Sequence, residues 1–213
     1  MTTLSDIAIL LIAAFGAGVL NTIAGGGTFL TFPALVFTGM PPVAANATSA
    51  VAVFPGYLAG AFGFRDELGG FDRKRLLRLS LITLAGGVVG SGLLLVSSNA
   101  AFSVVVPFLL LAATLAFLLG DRIRAFAASH ARAVTPEGTL GLFAVSVYGG
   151  YFNGGLGIVL LALFALWGMT DLHGMNGLKN GLSFVLSSIS VAVFALAGLV
   201  AWPQALLMML AAT

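Results

Sequence analysis

Asn21-Thr22-Ile23-Ala24-Gly25-Gly26-Gly27 and, about half a chain later, Asn153-Gly154-Gly155-Leu156-Gly157 interrupt stretches that are otherwise almost wholly apolar. Each break follows a hydrophobic segment and precedes a short one, 28–37 in the first case and 158–167 in the second. Glycine opens backbone conformations closed to other residues. Interrupted hydrophobic segments at matching places in two halves of a membrane chain mark a binding site built by an internal repeat. Transport is therefore the first functional class to consider.

Composition sets the solvent. Of 213 residues, 60% are hydrophobic and 8% charged, with a mean hydropathy of +1.12. A soluble domain carries roughly 25% charged residues. Several runs reach the roughly 18 apolar residues of a bilayer span, and they are unbroken rather than alternating, which favours helices over a barrel. The expected class is an all-α polytopic membrane protein. The sequence contains no cysteine, which excludes disulfides and thiolate–metal chemistry. The basic residues flank apolar spans instead of forming a nucleic-acid patch. The N-terminus lacks a positive leader, so residues 4–23 read as a first span.

Outward from the first break, Gly39-Met40-Pro41-Pro42 ends the short segment with a turn. Apolar segments follow at 44–64, 76–96 and 101–119. In the second half they lie at 140–152, 158–167 and 175–199, with a last one beginning at 205. Arg65, Arg73, Lys74, Arg75 and Arg78 fall in one connection and Arg122, Arg124 and Arg132 in another. The positive-inside rule puts both in the cytoplasm and the uncharged turn Ser97-Ser98-Asn99-Ala100 outside. Tyr57, Arg65 and Trp202 read as interface anchors. Gly25-Gly26 and Gly39-Met40 recur as Gly154-Gly155 and Gly168-Met169, offset by 129, and Asn46 recurs as Asn176, offset by 130. The expected architecture is two inverted repeats whose short discontinuous helices meet near the midplane. Residues 1–120 form the first repeat, 121–137 a cytoplasmic connecting loop, and 138–213 a second repeat. That second repeat is expected to be truncated, since it lacks counterparts of 76–119 beyond the stub after Trp202.

Gly16-Ala17-Gly18, Gly25-Gly26-Gly27, Pro33, Gly39-Met40-Pro41 and Ala45-Asn46-Ala47-Thr48-Ser49 resemble the N-terminal signature of the sulfite exporter TauE/SafE permeases. Gly149-Gly150-Tyr151-Phe152-Asn153-Gly154-Gly155-Leu156-Gly157 and Asn176-Gly177-Leu178-Lys179-Asn180 resemble the matching C-terminal signature. The resemblance covers nearly the whole chain. It implies a multi-pass carrier of the cell (inner) membrane that moves sulfite, sulfonates or similar small anions.

The residues themselves suggest how such an anion is held. A helix N-terminus presents unpaired N–H groups and partial positive charge, a ready anion site. Unwound backbone at membrane depth is tolerated only against protein or a water-filled cavity. The expected substrate-binding set is Gly25, Gly26, Gly27 and Thr28 at one break and Gly154, Gly155 and Gly157 at the other. Beside them stand the neutral polar residues Asn21, Asn46, Thr48, Ser49, Asn153, Asn176 and Asn180. Lys179 is the only charge well inside a predicted span, where an ionisable group is a functional candidate by default. Its bland alternative is snorkelling from near the helix start. For the asparagines, threonine and serine the alternative is capping and interhelical bonding. His173, read as a loop residue, is the candidate for coupling a proton to transport.

No metal-ligand pair, cofactor motif or nucleophile turn is present in the sequence, so no enzyme is expected. The leading expectation is a secondary transporter of a small sulfite- or organosulfonate-like anion working by alternating access. The alternatives from other classes are a non-transporting membrane scaffold or assembly subunit and a passive anion channel.

Overall fold

A computed structural model describes residues 3–23, 25–119, 122, 125 and 138–213. Most of the expected connecting loop at 121–137 lies outside the described residues. Among the described residues the chain forms helices and no strand: α1 Leu4–Ile23, α2 Thr28–Phe37, α3 Pro42–Gly63, α4 Arg65–Gly69, α5 Arg73–Val96, α6 Asn99–Leu118, α7 Thr139–Tyr151, α8 Leu156–Leu166, α9 Leu172–Leu196 and α10 Trp202–Ala212.

The repeat is written into the backbone. At the end of α2, Gly39 takes φ +88°, its N–H donates to the Val36 carbonyl, and the Met40 N–H donates to the Leu35 carbonyl. At the end of α8, Gly168 takes φ +81°, its N–H donates to Ala165, and the Met169 N–H donates to Phe164. Both are Schellman stops, which need a left-handed residue and so favour glycine. Every participant in one is displaced by 129 residues in the other.

Each glycine break reverses the chain. A Cβ placed on Gly16 of α1 would lie 2.9 Å from the Leu30 side chain, and one on Gly27 would lie 2.7 Å from the Ala17 carbonyl oxygen. Hence α2 folds back along α1. In the second half a Cβ on Gly149 would meet Leu156 at 2.6 Å and one on Gly141 would meet Leu163 at 3.2 Å, so α8 folds back along α7. The expected discontinuous helices are thus the returning arms of two hairpins, each about 15 Å long at 1.5 Å per residue. A sequence break reads the same for an unwound stretch and for a reversal; the contacts across the bend distinguish them.

Packing obeys the same exchange. If α1, α2, α3 and α5 are swapped for α7, α8, α9 and α10, the neighbours are preserved: α5 packs on α7 and α9, and α10 packs on α1 and α3. The equivalent helices α3 and α9 run antiparallel. Gly177 of α9 faces Phe64, Asn180 faces Gly60, and Phe184 stacks on Phe54 with ring centroids 5.3 Å apart. Antiparallel equivalents are what an inverted repeat requires.

Two large apolar cores result, with a small third cluster of Ala17, Val53 and Tyr57 against which Phe184 of α9 packs. One gathers Leu10, Ala14, Phe32, Leu35, Ala47, Val51, Phe102 and Met208 from α1, α2, α3, α6 and α10. The other gathers Leu79, Leu142, Leu156, Leu160, Leu178, Leu182 and Leu186 from α5, α7, α8 and α9. Two bundles are thus distinguished, α1, α2, α3, α6 and α10 in one and α5, α7, α8 and α9 in the other, with the first core reaching across to Leu94, Phe152 and Phe194. Glycines set the close approach of α5 to α7: a Cβ on Gly86 would fall 2.5 Å from Ser146 and one on Gly90 2.1 Å from the Val147 carbonyl. Small residues of this kind let helix backbones touch where lipid supplies no hydrophobic drive.

Among the described residues three helices are long and apolar enough to cross a membrane: α1, α5 and α9. Large apolar side chains point outward along α1 (Ile12, Phe15, Val19) and α6 (Val104, Phe108, Leu111, Leu115). Such stripes fit lipid. Helix α3 is an inner helix instead, with Asn46, Thr48 and Ser49 buried among apolar neighbours.

Some boundaries differ from the sequence reading. Pro42 opens α3 at its first position, where proline loses no hydrogen bond. The charged stretch after α3 contains α4, and α5 already starts at Arg73 because the Asp72 carboxylate caps the Arg75 N–H. Asp171 caps α9 in the same way through the His173 and Gly174 N–H groups, which places His173 in the first helical turn, not in a loop. Tyr57 is buried in the interior and is not an interface anchor.

Candidate functional site between the hairpin tips and helix α9

The tips of the two hairpins touch. Gly25, with φ +78°, lies so near the second tip that a Cβ on it would be 2.6 Å from the Cα of Gly157. Gly155, with φ +72°, abuts the Phe29 ring and Ala113, at 2.6 and 2.8 Å for a built Cβ. Gly26 stands beside Ile158. Any side chain at Gly25 or Gly155 would pry the tips apart, and both backbones occupy the left-handed region that favours glycine. The expected residues Gly25, Gly26, Gly155 and Gly157 are thus brought together at the tips, with Gly25 and Gly157 in backbone contact, and a solute bound there must lie beside that contact rather than between the two glycines.

The polar residues around the tips divide into those already engaged and those with capacity to spare. The Asn21 side-chain oxygen accepts from the Gly27 N–H at 2.8 Å, so one amide at the start of α2 is closed by the protein itself. The Ser49 and Thr31 hydroxyls share a hydrogen bond of 2.6 Å. Thr48 accepts from the Ala201 N–H at 3.0 Å and so caps α10, away from the tips. Asn153 accepts from the Tyr57 hydroxyl at 3.4 Å, and the Tyr148 hydroxyl donates to the Gly154 carbonyl. Asn46 donates to the Tyr151 carbonyl at 2.9 Å, tying α3 to the second hairpin, while its own side-chain oxygen is buried without a partner. The Thr28 hydroxyl is likewise buried and unpartnered. Asn180 packs against Gly60 of α3.

Lys179 is the most costly group in this region. It is 0% exposed, so it does not snorkel to the surface. Its ammonium donates to the side-chain oxygen of Asn176 at 2.9 Å, and among the described residues no carboxylate lies in ion-pair range. Asn176 is itself held by donating to the Leu172 carbonyl at 3.0 Å. A buried ammonium without an opposite charge is destabilising by several kcal/mol.

Three residues that the sequence reading left out belong with it. Ser183, Ser187 and Ser190 follow Lys179 on α9 at spacings of four, four and three, the period of one helix face. They are 0%, 1% and 3% exposed, and none of their hydroxyls finds a partner in the protein. At about 100° per residue, this face lies between Phe184 and Asn180, which pack on α3, and Leu182, Leu186 and Ile189, which pack toward α5 and α7. It therefore runs along the seam where one bundle meets the other. No sequence signal marks these serines, because a lone serine in an apolar helix usually bonds back to a carbonyl of its own helix.

The chain matches the family model described as sulfite exporter TauE/SafE over residues 10–213, and it belongs to that family. It is 30% identical over 208 residues to a protein of a Sinorhizobium species named "Probable membrane transporter protein", covering 95% of this chain and 77% of that one. It is 32% identical over 214 residues to a protein of the same description in Haemophilus influenzae, covering 95% of this chain and 79% of that one. No solved structure matches it significantly.

Proposed function

We propose that this member of the sulfite exporter TauE/SafE family is a secondary carrier of a small sulfur-containing anion, sulfite- or organosulfonate-like, working by alternating access in the cell (inner) membrane with multiple passes. Family membership establishes a membrane transporter. The single observation that supports an anionic cargo is the buried ammonium of Lys179, which has a neutral partner in Asn176 and no counter-ion among the described residues. A mobile anion would relieve that cost each time it binds.

The rest of the shell follows from position. The hairpin tips at Gly25 to Thr28 and at Gly154 to Gly157 contribute helix N-termini, and Asn46, Asn153 and Asn180 contribute neutral hydrogen-bonding groups. Thr28 adds an unpartnered hydroxyl. Asn21, Thr48 and Ser49 hold tips and helix ends in place through the bonds they already make.

Alternating access is supported by the division of most buried apolar side chains between two groups of helices. Each bundle is densely packed within itself, and interiors of that kind move as bodies instead of deforming continuously. The contact between them includes α3 and α9, the pair related by the repeat, where Phe54 stacks on Phe184, and the hairpin tips at Gly25 and Gly157.

The test is flux into proteoliposomes of sulfite, sulfate, thiosulfate and an organosulfonate, with and without a pH gradient. Saturable uptake with counterflow supports a carrier. Non-saturating flux without counterflow would indicate a passive channel, and no flux at all would indicate a scaffold. Stimulation by an inward-acid gradient would make the proton the coupling ion.

A further inference from the structure

Some serines in these helices bond their own backbone. Ser91 donates to the Gly87 carbonyl at 2.7 Å and Ser188 to the Phe184 carbonyl at 2.7 Å, the usual retreat of a hydroxyl inside an apolar helix. Ser103 and Thr114 do the same. Ser183, Ser187 and Ser190 do not, although each has a helix carbonyl four residues back. Their hydroxyls are buried, unpartnered and collected on one face. A buried polar atom without a partner is unfavourable, and three in register on one helix, beginning four residues after a buried ammonium, form a pattern that internal packing does not explain.

We propose that these three hydroxyls form a donor ladder for a compact oxyanion, along which the transported species passes between Lys179 and the far end of the seam. This rests on the carrier reading above and specifies the chemical class of its cargo. The ladder covers about 10 Å of helix axis from Ser183 to Ser190 at 1.5 Å per residue. Neighbouring rungs are separated by about 6 and 4.5 Å along the axis. An anion carrying three or four oxygens on one centre can accept from two adjacent hydroxyls at once, and so can pass from one rung to the next without being fully released. A monatomic anion bridges such rungs poorly, and an anion with a bulky apolar tail cannot follow a seam lined at its edges by Leu182, Leu186 and Phe184. Hydroxyls suit the task because they hold an anion by donated hydrogen bonds without the charge that would trap it. In the conformation described, Lys179 and all three serines are closed off from solvent, so loading the ladder requires the bundles to part.

The experiment compares Ser183→Ala/Ser187→Ala with wild type and with Ser188→Ala, using the full chain in proteoliposomes and sulfite, sulfate and chloride as probes. Wild type should carry sulfite or sulfate at least about tenfold faster than chloride. The double variant should lose at least about tenfold of oxyanion flux, the scale of losing hydrogen bonds to a charged acceptor. Ser188→Ala, whose hydroxyl bonds its own helix, should transport as wild type does. The second readout is thermal unfolding in detergent. Removing unpartnered hydroxyls should leave Tm unchanged or raise it, whereas serines with a merely structural role would lower it. Unchanged sulfite flux in a folded double variant, or a flux loss matched by a lowered Tm, overturns the ladder while leaving the carrier reading intact. A wild type that moves neither oxyanion overturns the carrier reading itself.

Discussion

Replacing Lys179 with methionine should move stability and transport in opposite directions. Methionine has nearly the length of the lysine stem and fills the same space without charge. In the empty protein the ammonium loses hydration worth several kcal/mol and regains about 1.5–3 kcal/mol from its charged hydrogen bond, the one to Asn176. The variant should therefore be more stable by on the order of 1–3 kcal/mol, which for a chain of this size raises Tm by roughly 2–4 °C per kcal/mol. The substrate loses an attraction of about 4 kcal/mol, the Coulomb energy of unit charges about 4 Å apart at an effective dielectric of 20. That corresponds to about a thousandfold in binding, since each 1.36 kcal/mol is tenfold. The assays are scanning fluorimetry of the purified protein and sulfite uptake at substrate levels well below saturation. Sulfite uptake at the wild-type rate, or a Tm that falls, would refute the argument, because either result means that the ammonium is satisfied by the protein and not reserved for an anion.

Further predictions address the tips and the bundles. Gly25→Ala should lower Tm and abolish flux, because it combines a left-handed backbone with a Cβ 2.6 Å from Gly157. Gly39→Ala, which shares the positive φ but meets nothing within 4 Å, should carry only the backbone penalty of roughly 1–2 kcal/mol and keep its transport. Asp171→Ala removes the cap of α9 and should lower stability by about 0.5–2 kcal/mol, read as a drop in Tm with measurable flux remaining. The sequence has no cysteine, so Phe54→Cys/Phe184→Cys gives a background-free cross-link between α3 and α9. A short bismaleimide should arrest uptake in that variant and in neither single variant; continued uptake with the bundles tied together would refute rocking.

The sequence carried the periodic and punctuated parts of this fold well. Helix α2 spans Thr28–Phe37 as its apolar run suggests, because Gly39-Met40 encodes a Schellman stop that is local in origin. The recurrence of that stop at Gly168-Met169 made the repeat visible without any tertiary information. Reversal at the glycine breaks was not legible, since it depends on Leu30 meeting Gly16 and Leu156 meeting Gly149 across the bend. Charge clustering alone reads as a connection, yet Asp72 and Asp171 turn those same stretches into helix starts. Lys179 stood out by its charge, but its position near the start of α9 gave no indication that it is wholly enclosed. Tyr57 was misplaced for the complementary reason: its amphipathic side chain suits an interface as well as an interior hydrogen bond, and only the presence of Asn153 within reach decides between them.

The distribution of unsatisfied groups links fold to function. A helical membrane protein can hide a hydroxyl on its own helix, as Ser91, Ser97, Ser103 and Ser188 do. Leaving Ser183, Ser187 and Ser190 unpaired, beside an ammonium with a single neutral partner, makes the closed empty state less stable than the same fold could be. Opening the seam exposes some apolar surface, since Phe32 meets Phe152 and Phe54 stacks on Phe184 across it. Here the surfaces that separate include hydroxyls, carboxamides and glycine backbone, all of which water or an oxyanion can satisfy. On the proposed mechanism, the same residues that destabilise the closed state would lower the barrier to opening and supply the contacts for what enters.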